Sequence, residues 1–328
     1  MGFIAWIVYN GCKRKGRGEG MKKIPYFDGH CDTVYRCFNT KESLLQNMGH
    51  VALDRVGGFS AYAQIFALFW DAAQSPAEGL LSLTKSMVTL YQEELRRNAD
   101  RVVHCRNAFE IDGAVKAGKA AALLSVEGAE LLECDPQNLE LAGQWGVKLI
   151  NPTWNRANIL SGSHCEDSDR GLSDAGRCFV REAERIGILM DVSHLSERGF
   201  WDLMEMTELP VVASHSNSRK IYPHSRGLSD DQFRAIVQSG GVAGLNFYSE
   251  FVGKPATVDG MVRHVEHWLE IGGENVVALG ADLDGCDSLP QGIAGIQNVP
   301  CLWTALSERG YSDSLLKKLF WDNWYRLM

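Results

Sequence analysis

Short apolar runs punctuate this chain at intervals, and each one ends in polar or ionisable residues. Eight have the length and the small or β-branched content of buried strands: 25–32 (PYFDGHCD), 61–70 (AYAQIFALFW), 120–130 (AAALLSVEGAE), 147–154 (VKLINPTW), 187–194 (GILMDVSH), 210–216 (PVVASHS), 241–248 (GVAGLNFY) and 276–285 (VVALGADLDG). Helix-length segments with recognisable starts lie between most of them. Asp135 and Pro136 read as an N-cap followed by proline at the first helical position, and Ser173 and Ser196 open similar segments. Ser229 and Gln232 have the spacing of a capping box, with glycines at the exit. Val262, Val265 and Leu269 recur at helical spacing, and 312–328 reads as one more amphipathic helix. Nearly continuous apolar strands alternating with helices predict a parallel sheet covered on its outer face. Eight of them predict the α/β class in its (β/α)8 TIM-type barrel form, with the chemistry at the C-terminal ends of the strands.

Bulk properties narrow the function classes. A chain of 328 residues with 45% hydrophobic and 23% charged content is an ordinary globular enzyme in composition. The formal charge of −8 comes from 33 basic and 41 acidic residues with no long block of either sign, so nothing marks a nucleic-acid partner. Nine scattered cysteines without a C-x-x-C pair read as reduced thiols of a cytoplasmic protein, not as a disulfide framework or thiolate zinc site. Near the N-terminus, FIAWIVY has only seven apolar residues and is followed by KRKGR, which fits neither a signal peptide nor a spanning helix, and no membrane partner is expected. Residues 1–20 are therefore taken as extraneous to the fold, with Met21 as the natural start and 21–328 as a single catalytic barrel. A homodimer is left open.

The predicted strand ends carry His30 and Asp32, then Glu127, Trp154, His194, His215, Tyr248 and Asp282 in chain order. Buried ionisable groups are expensive unless paired or metal-bound, and so many at one end of a barrel point to a metal centre. On a strand, His30 and Asp32 would project from the same side about 6.6–6.8 Å apart along the backbone, a workable bite for one ion. A carboxylate has two oxygens, so Glu127 could serve both ions of a two-metal site, with His194 and His215 facing each other across the mouth. Imidazole with carboxylate suits zinc, with cobalt or manganese as substitutes. Asp282 is placed to shuttle a proton, while Asp284 reads as a turn former. Arg226 is placed to clasp a carboxylate with its two-pronged guanidinium. His50, His104, His164 and His224 are expected at the surface.

These residues fall in motifs that resemble the membrane (renal) dipeptidases, zinc peptidases of the amidohydrolase-type barrel class, over essentially all of 24–328: DGHCD, SVEG, DVSH, SHSN and GADLDG, in that order. The resemblance implies two zinc ions, one held by His30, Asp32 and Glu127 and the other by Glu127, His194 and His215. It implies catalytic roles for Glu127 and Asp282, and places Arg226 and Tyr248 near the substrate carboxylate. The expected activity is hydrolysis of dipeptides, including those with a C-terminal D-residue, by a water that two zinc ions activate. One departure stands out: where members of that family carry a histidine in TLTH, this chain reads NPTWN, so Trp154 offers only an N–H donor to a substrate oxygen. The alternative is another binuclear barrel amidohydrolase, acting on a lactone, a cyclic amide or a phosphoester. Most such barrels open with H-x-H, whereas this chain opens with H-x-D.

Overall fold

The computed structural model describes residues 22–328. The expectation for residues 1–20 lies outside that range. All eight predicted strands are present: β1 (Pro25–Cys31), β2 (Ala61–Phe69), β4 (Ala120–Glu127), β5 (Val147–Asn151), β6 (Leu189–Met190), β7 (Val212–Ser216), β8 (Val242–Leu245) and β9 (Val277–Leu279). They pair in parallel in the order β6-β5-β4-β2-β1-β9-β8-β7. A bridge between Asp191 and Val212, with Val192 N–H donating to Val212 O at 2.7 Å, closes β6 onto β7. The result is the predicted (β/α)8 barrel.

Several boundaries differ from the sequence reading. A ninth strand, β3 (Val102–His104), was not predicted; it pairs with the N-terminal half of β4, outside the ring of eight. Three residues flanked by Asp100, Arg101 and Arg106 give too short an apolar run to register. The strands also stop earlier than predicted, most clearly β6 and β9, because the residues beyond them leave the ladder to reach the mouth. Asp282 and Asp284 adopt positive φ of 57° and 68° just after β9. The tail is not one uniform helix: it widens into a π-turn over Lys318–Asp322 between helical segments Asp313–Lys317 and Asn323–Tyr325. That turn brings Phe320, Trp321 and Trp324 to buried positions.

Helix starts follow local chemistry. The Ser173, Ser196 and Ser229 side chains each accept from a backbone N–H three residues on, and Ser229 with Gln232 forms the full capping box. Strand alternation then sorts the interior. Phe27, Ala63, Ile65, Ala121, Leu123, Leu149, Leu189, Val212, Val242 and Ala278 face one another in the lower barrel together with Trp324. Further along, the same face presents Ser125 and Glu127, two and four residues beyond Leu123 on β4, and Asn151, two beyond Leu149 on β5. The barrel is apolar below and polar above.

Candidate metal centre

Each group at the mouth arrives by a local device. The β1–β2 register runs Asp28 to Gln64 and then Cys31 to Phe66, so β1 carries an extra residue there, and the bulge reorients His30. Asp32 is not a strand residue beside it, as predicted, but the N-cap position of the helix Thr33–Thr40. An aspartate there ordinarily accepts from the first helical turn, yet this side chain makes no capping bond. Its Oδ2 lies 3.4 Å from His30 Nε2. The pair is brought together as expected, by a bulge and a helix start instead of simple alternation.

Glu127 sits between two groups of donors. Its Oε1 is 2.9 Å from His194 Nε2 and 3.4 Å from His215 Nε2, while its Oε2 is 3.5 Å from His30 Nε2. His194 Nε2 and His215 Nε2 are 3.0 Å apart. Among the described residues, His30 with Asp32 and Glu127 forms one potential cation-holding triad, and Glu127 with His194 and His215 forms a second. His30 and His215 with Asp282 give a third combination of the same groups. All five of the first two sets are buried.

The outer contacts fix which ring atoms face inward. His194 Nδ1 lies 2.9 Å from Asn155 Oδ1, which can only accept, so the proton sits on Nδ1 and the Nε2 lone pair faces Glu127. Ser214 Oγ is 2.6 Å from His215 Nδ1. Burial, with help from the Arg226 charge, lowers His194 to a pKa of about 4, and burial with the charge of His30 holds His215 well below its ordinary value, so both rings are neutral. Burial would raise Glu127, but the charge of His30 holds it well below the carboxylate range. Asp32 is pushed up to about 7 by burial and by the Glu127 charge.

Asp282 stands beside this cluster, its Oδ1 4.0 Å from His30 Nε2 and its Oδ2 accepting from Asn246 Nδ2 at 2.9 Å. Burial raises it to about 6, against the pull of His30. Asp284 faces away: it accepts from Thr33 Oγ1 at 2.7 Å and from His50 N at 2.6 Å, stapling the loop after β9 to the His50 loop, in keeping with its reading as a turn former.

Arg226 is only 4% exposed. Its Nη1 and Nη2 donate to Ser216 Oγ (3.1 Å) and His215 O (3.0 Å), both neutral, and its Nε has no partner. Burial lowers it to about 10. A buried guanidinium with no carboxylate in ion-pair contact among the described residues is a place for an anion. Beside it a cavity of about 250 Å³ is lined by Ser193, Leu195, Phe200, Ser216 and Leu228. Tyr248 is one ring removed: it packs 4.8 Å from Phe251, which lies 6.0 Å beneath the Arg226 guanidinium. Trp154 packs 4.8 Å from Phe69 and 6.3 Å from the His194 ring.

The sequence reading missed the residues that hold the ligand-type groups in place. Asn155, Ser214 and Asn246 are short polar neighbours of Trp154, His215 and Phe247, and only that adjacency could have flagged them. Asp28, read only as a residue of the first strand, accepts from the backbone N–H of both His30 and Ala281 at 3.0 Å and from the Tyr26 hydroxyl, joining β1 to the residues after β9. All four histidines expected at the surface are partly buried in bonded positions, His224 through its Nδ1, which accepts from Arg226 N at 3.1 Å. His164 Nε2 lies 2.9 Å from the same Asn155 Oδ1 that holds His194. His50 Nδ1 accepts from Asp284 N, and His104 Nδ1 lies 2.9 Å from the Tyr91 hydroxyl.

This ordered set of histidines and carboxylates at the C-terminal end of a parallel barrel has matches among known proteins, and residues 18–328 match the family model described as membrane dipeptidase, peptidase family M19. The chain belongs to the membrane dipeptidase family. Membership makes it a metallopeptidase of the dipeptidase type, a hydrolase of peptide bonds. The crystal structure of a metallopeptidase from Rhodobacter sphaeroides, liganded with a phosphinate mimic of the dipeptide L-Ala-D-Ala, superposes with a TM-score of 0.86 at 30% identity, covering 93% of this chain and 99% of that one. An uncharacterised protein in the pqqA 5′ region of Klebsiella pneumoniae is 33% identical over 253 residues, 74% of this chain and 93% of its own length. The dipeptidase tcpJ of Claviceps purpurea is 27% identical over 333 residues, 96% of this chain and 76% of its own length. No helix among the described residues is long and apolar enough to cross a membrane.

Proposed function

We propose that this member of the membrane dipeptidase family is a two-zinc dipeptidase, and the observation that carries the reading is the placement of Glu127. One carboxylate offers Oε1 to His194 and His215 and Oε2 toward His30, which is the disposition of a bridge between two cations. The donor set fits zinc. His30 Nδ1 and Nε2 and Asp32 Oδ1 are buried without hydrogen-bond partners, a cost that a bound cation would remove from Nε2 and Oδ1. His30, Asp32 and Glu127 would hold one ion, and Glu127, His194 and His215 the other; cobalt or manganese would substitute. Bound there, the ions supply Lewis acidity and bring the pKa of water down to about 7.

The remaining work falls to the chain. Asp282 Oδ2 is occupied by Asn246, which leaves Oδ1, the atom facing His30, to accept a proton from the attacking water and deliver it to the departing nitrogen. Arg226 fixes the free carboxylate of the C-terminal residue, and that anchor limits substrates to very short peptides. The Trp154 N–H is the donor for the scissile carbonyl oxygen where relatives carry histidine. A C-terminal D-residue is accepted. The Rhodobacter structure holds a mimic of L-Ala-D-Ala, and here the cavity beside Arg226 gives that end of a substrate room.

The test is hydrolysis of L,L and L,D dipeptides and of their C-terminal amides. Free acids are expected to be strongly preferred, and Arg226→Lys is expected to erode the preference, since an ammonium cannot reproduce a planar two-pronged contact. Equal rates on free acid and amide would remove Arg226 from the site.

A further inference from the structure

Aromatic side chains in the body of this barrel, such as Phe27, Phe66 and Tyr91, are fully covered. A second group is not. Tyr35, Phe38, Phe69, Trp70 and Trp154 are each partly exposed, and they form a continuous chain of rings. From the His194 ring the steps are 6.3 Å to Trp154, 4.8 Å to Phe69, 5.2 Å to Tyr35, 5.7 Å to Trp70 and 6.4 Å to Phe38. Several of these contacts are edge-to-face, which fixes the rings without closing over their faces.

The placement ties this wall to the metal centre. Phe69 ends β2 as the register partner of Glu127 on β4, and it shares the interior-facing alternation of Ala63 and Ile65, so its ring stands at the mouth beside the bridging carboxylate. Tyr35 lies three residues after Asp32 and Trp154 three residues after Asn151, the end of β5. The arrangement is braced from outside: Trp70 Nε1 donates to Gln74 O at 3.0 Å, and Arg156 pairs with Asp71 at 3.4 Å, joining the β2 and β5 loops. Arg226, Tyr248 and Asp282 follow β7, β8 and β9, on the other arc of the ring.

We propose that this aromatic wall is the subsite for the side chain of the substrate's N-terminal residue, and that it selects large apolar or aromatic side chains there. The proposal rests on the dipeptidase reading above. With the C-terminal carboxylate held at Arg226 and the peptide carbonyl over Glu127, the acyl residue of a dipeptide must extend toward β2, β4 and β5. It meets no ionised group on the wall itself, only ring faces and edges, so a charged side chain would lose water without gaining a partner. A bulky apolar side chain would cover surface that the free protein leaves wet.

The test measures kcat and KM of the zinc-loaded protein on L-Phe-L-Ala, L-Leu-L-Ala, L-Ala-L-Ala and the reversed L-Ala-L-Phe, for the wild type, Phe69→Ala and Tyr35→Ala. The wild type is expected to prefer L-Phe-L-Ala over L-Ala-L-Ala by at least about tenfold in kcat/KM, with the difference carried by KM. Either variant is expected to collapse that ratio to within about twofold with zinc content unaltered; Tyr35→Ala serves if Phe69→Ala does not fold. A wild-type ratio near one, a ratio unmoved in a folded variant, or a preference that follows the C-terminal residue instead would overturn the subsite. Absence of hydrolysis of every dipeptide would instead overturn the dipeptidase reading, and the subsite with it.

Discussion

The two ends of this barrel use the same eight strands and opposite physics. At the lower end, Phe27 packs against Trp321 and Trp324 with ring centroids 5.6 and 6.1 Å apart. The polar atoms of that plug are satisfied: Trp324 Nε1 donates to Leu279 O and Asn323 Nδ2 to Val277 O, each at 2.7 Å. Gly29 makes room for it, since a Cβ there would sit 2.1 Å from the Trp324 ring. At the upper end, the β1 bulge and the positive φ of Asp282 turn charged groups inward, and His30, Asp32 and Arg226 keep buried atoms without partners. The lower end is where burial stabilises the fold, and the upper end is where stability is given up to hold groups ready for ions and substrate.

Substitutions at the two ends should therefore separate activity from stability. Asp282→Asn keeps shape while removing the proton carrier, so turnover is expected to fall about 10²–10⁴-fold, with metal content and unfolding midpoint nearly unchanged. Steady-state kinetics beside elemental analysis checks this; a loss of only a few-fold would move the role elsewhere. Trp324→Ala should do the reverse in kind, costing about 3–5 kcal/mol in denaturant unfolding, as expected for a large buried aromatic truncated to alanine. A loss under about 1 kcal/mol would mean that the lower end is not the stabilising one.

The loops of the upper end are themselves held by a buried neutral imidazole. His264 Nδ1 accepts from Ser218 N at 3.1 Å on the loop leading to Arg226, and its Nε2 donates to Val252 O at 3.1 Å just beyond Tyr248. Burial lowers its pKa to about 4. The unfolded chain protonates first, near 6.5, so the contribution is full above that pH and is lost as pH falls from about 6.5 toward 4, by up to roughly 3 kcal/mol. Comparing unfolding free energies of wild type and His264→Gln across that window should show a shallower pH slope in the variant; parallel curves would exclude His264. The smallest effect is expected at Ser229→Ala, about 1 kcal/mol from a lost helix cap, with kcat/KM unchanged because the cap touches neither end.

The sequence discloses the staves of this barrel more readily than their ends. Runs such as AAALL at the start of β4 are apolar without alternation because both faces of a parallel strand are covered, and that pattern survives without tertiary knowledge. The residues beyond β6 and β9, DVSH and GADLDG, mix apolar and polar positions as a continuing strand could, yet the chain leaves the ladder there and carries His194 and Asp282 to the mouth. Glu127, His194 and His215 are readable as candidate ligands because a charge or imidazole ending an apolar run is costly without a purpose. Asn155, Ser214 and Asn246 are not readable, since their roles depend on which ring nitrogen or carboxylate oxygen they meet in space. His264 is hidden for the same reason: helical spacing marks its neighbours as packing residues, and only the fold places it between two loops.

The claim that most of this rests on is that Glu127 bridges two zinc ions, and metal content measured directly tests it. Wild-type protein loaded with zinc and dialysed is expected to retain two ions per chain, and Glu127→Gln to lose affinity at both sites, because a neutral amide is a poor bridge between cations. A folded Glu127→Gln protein that still held two zinc ions with unchanged affinity would contradict it.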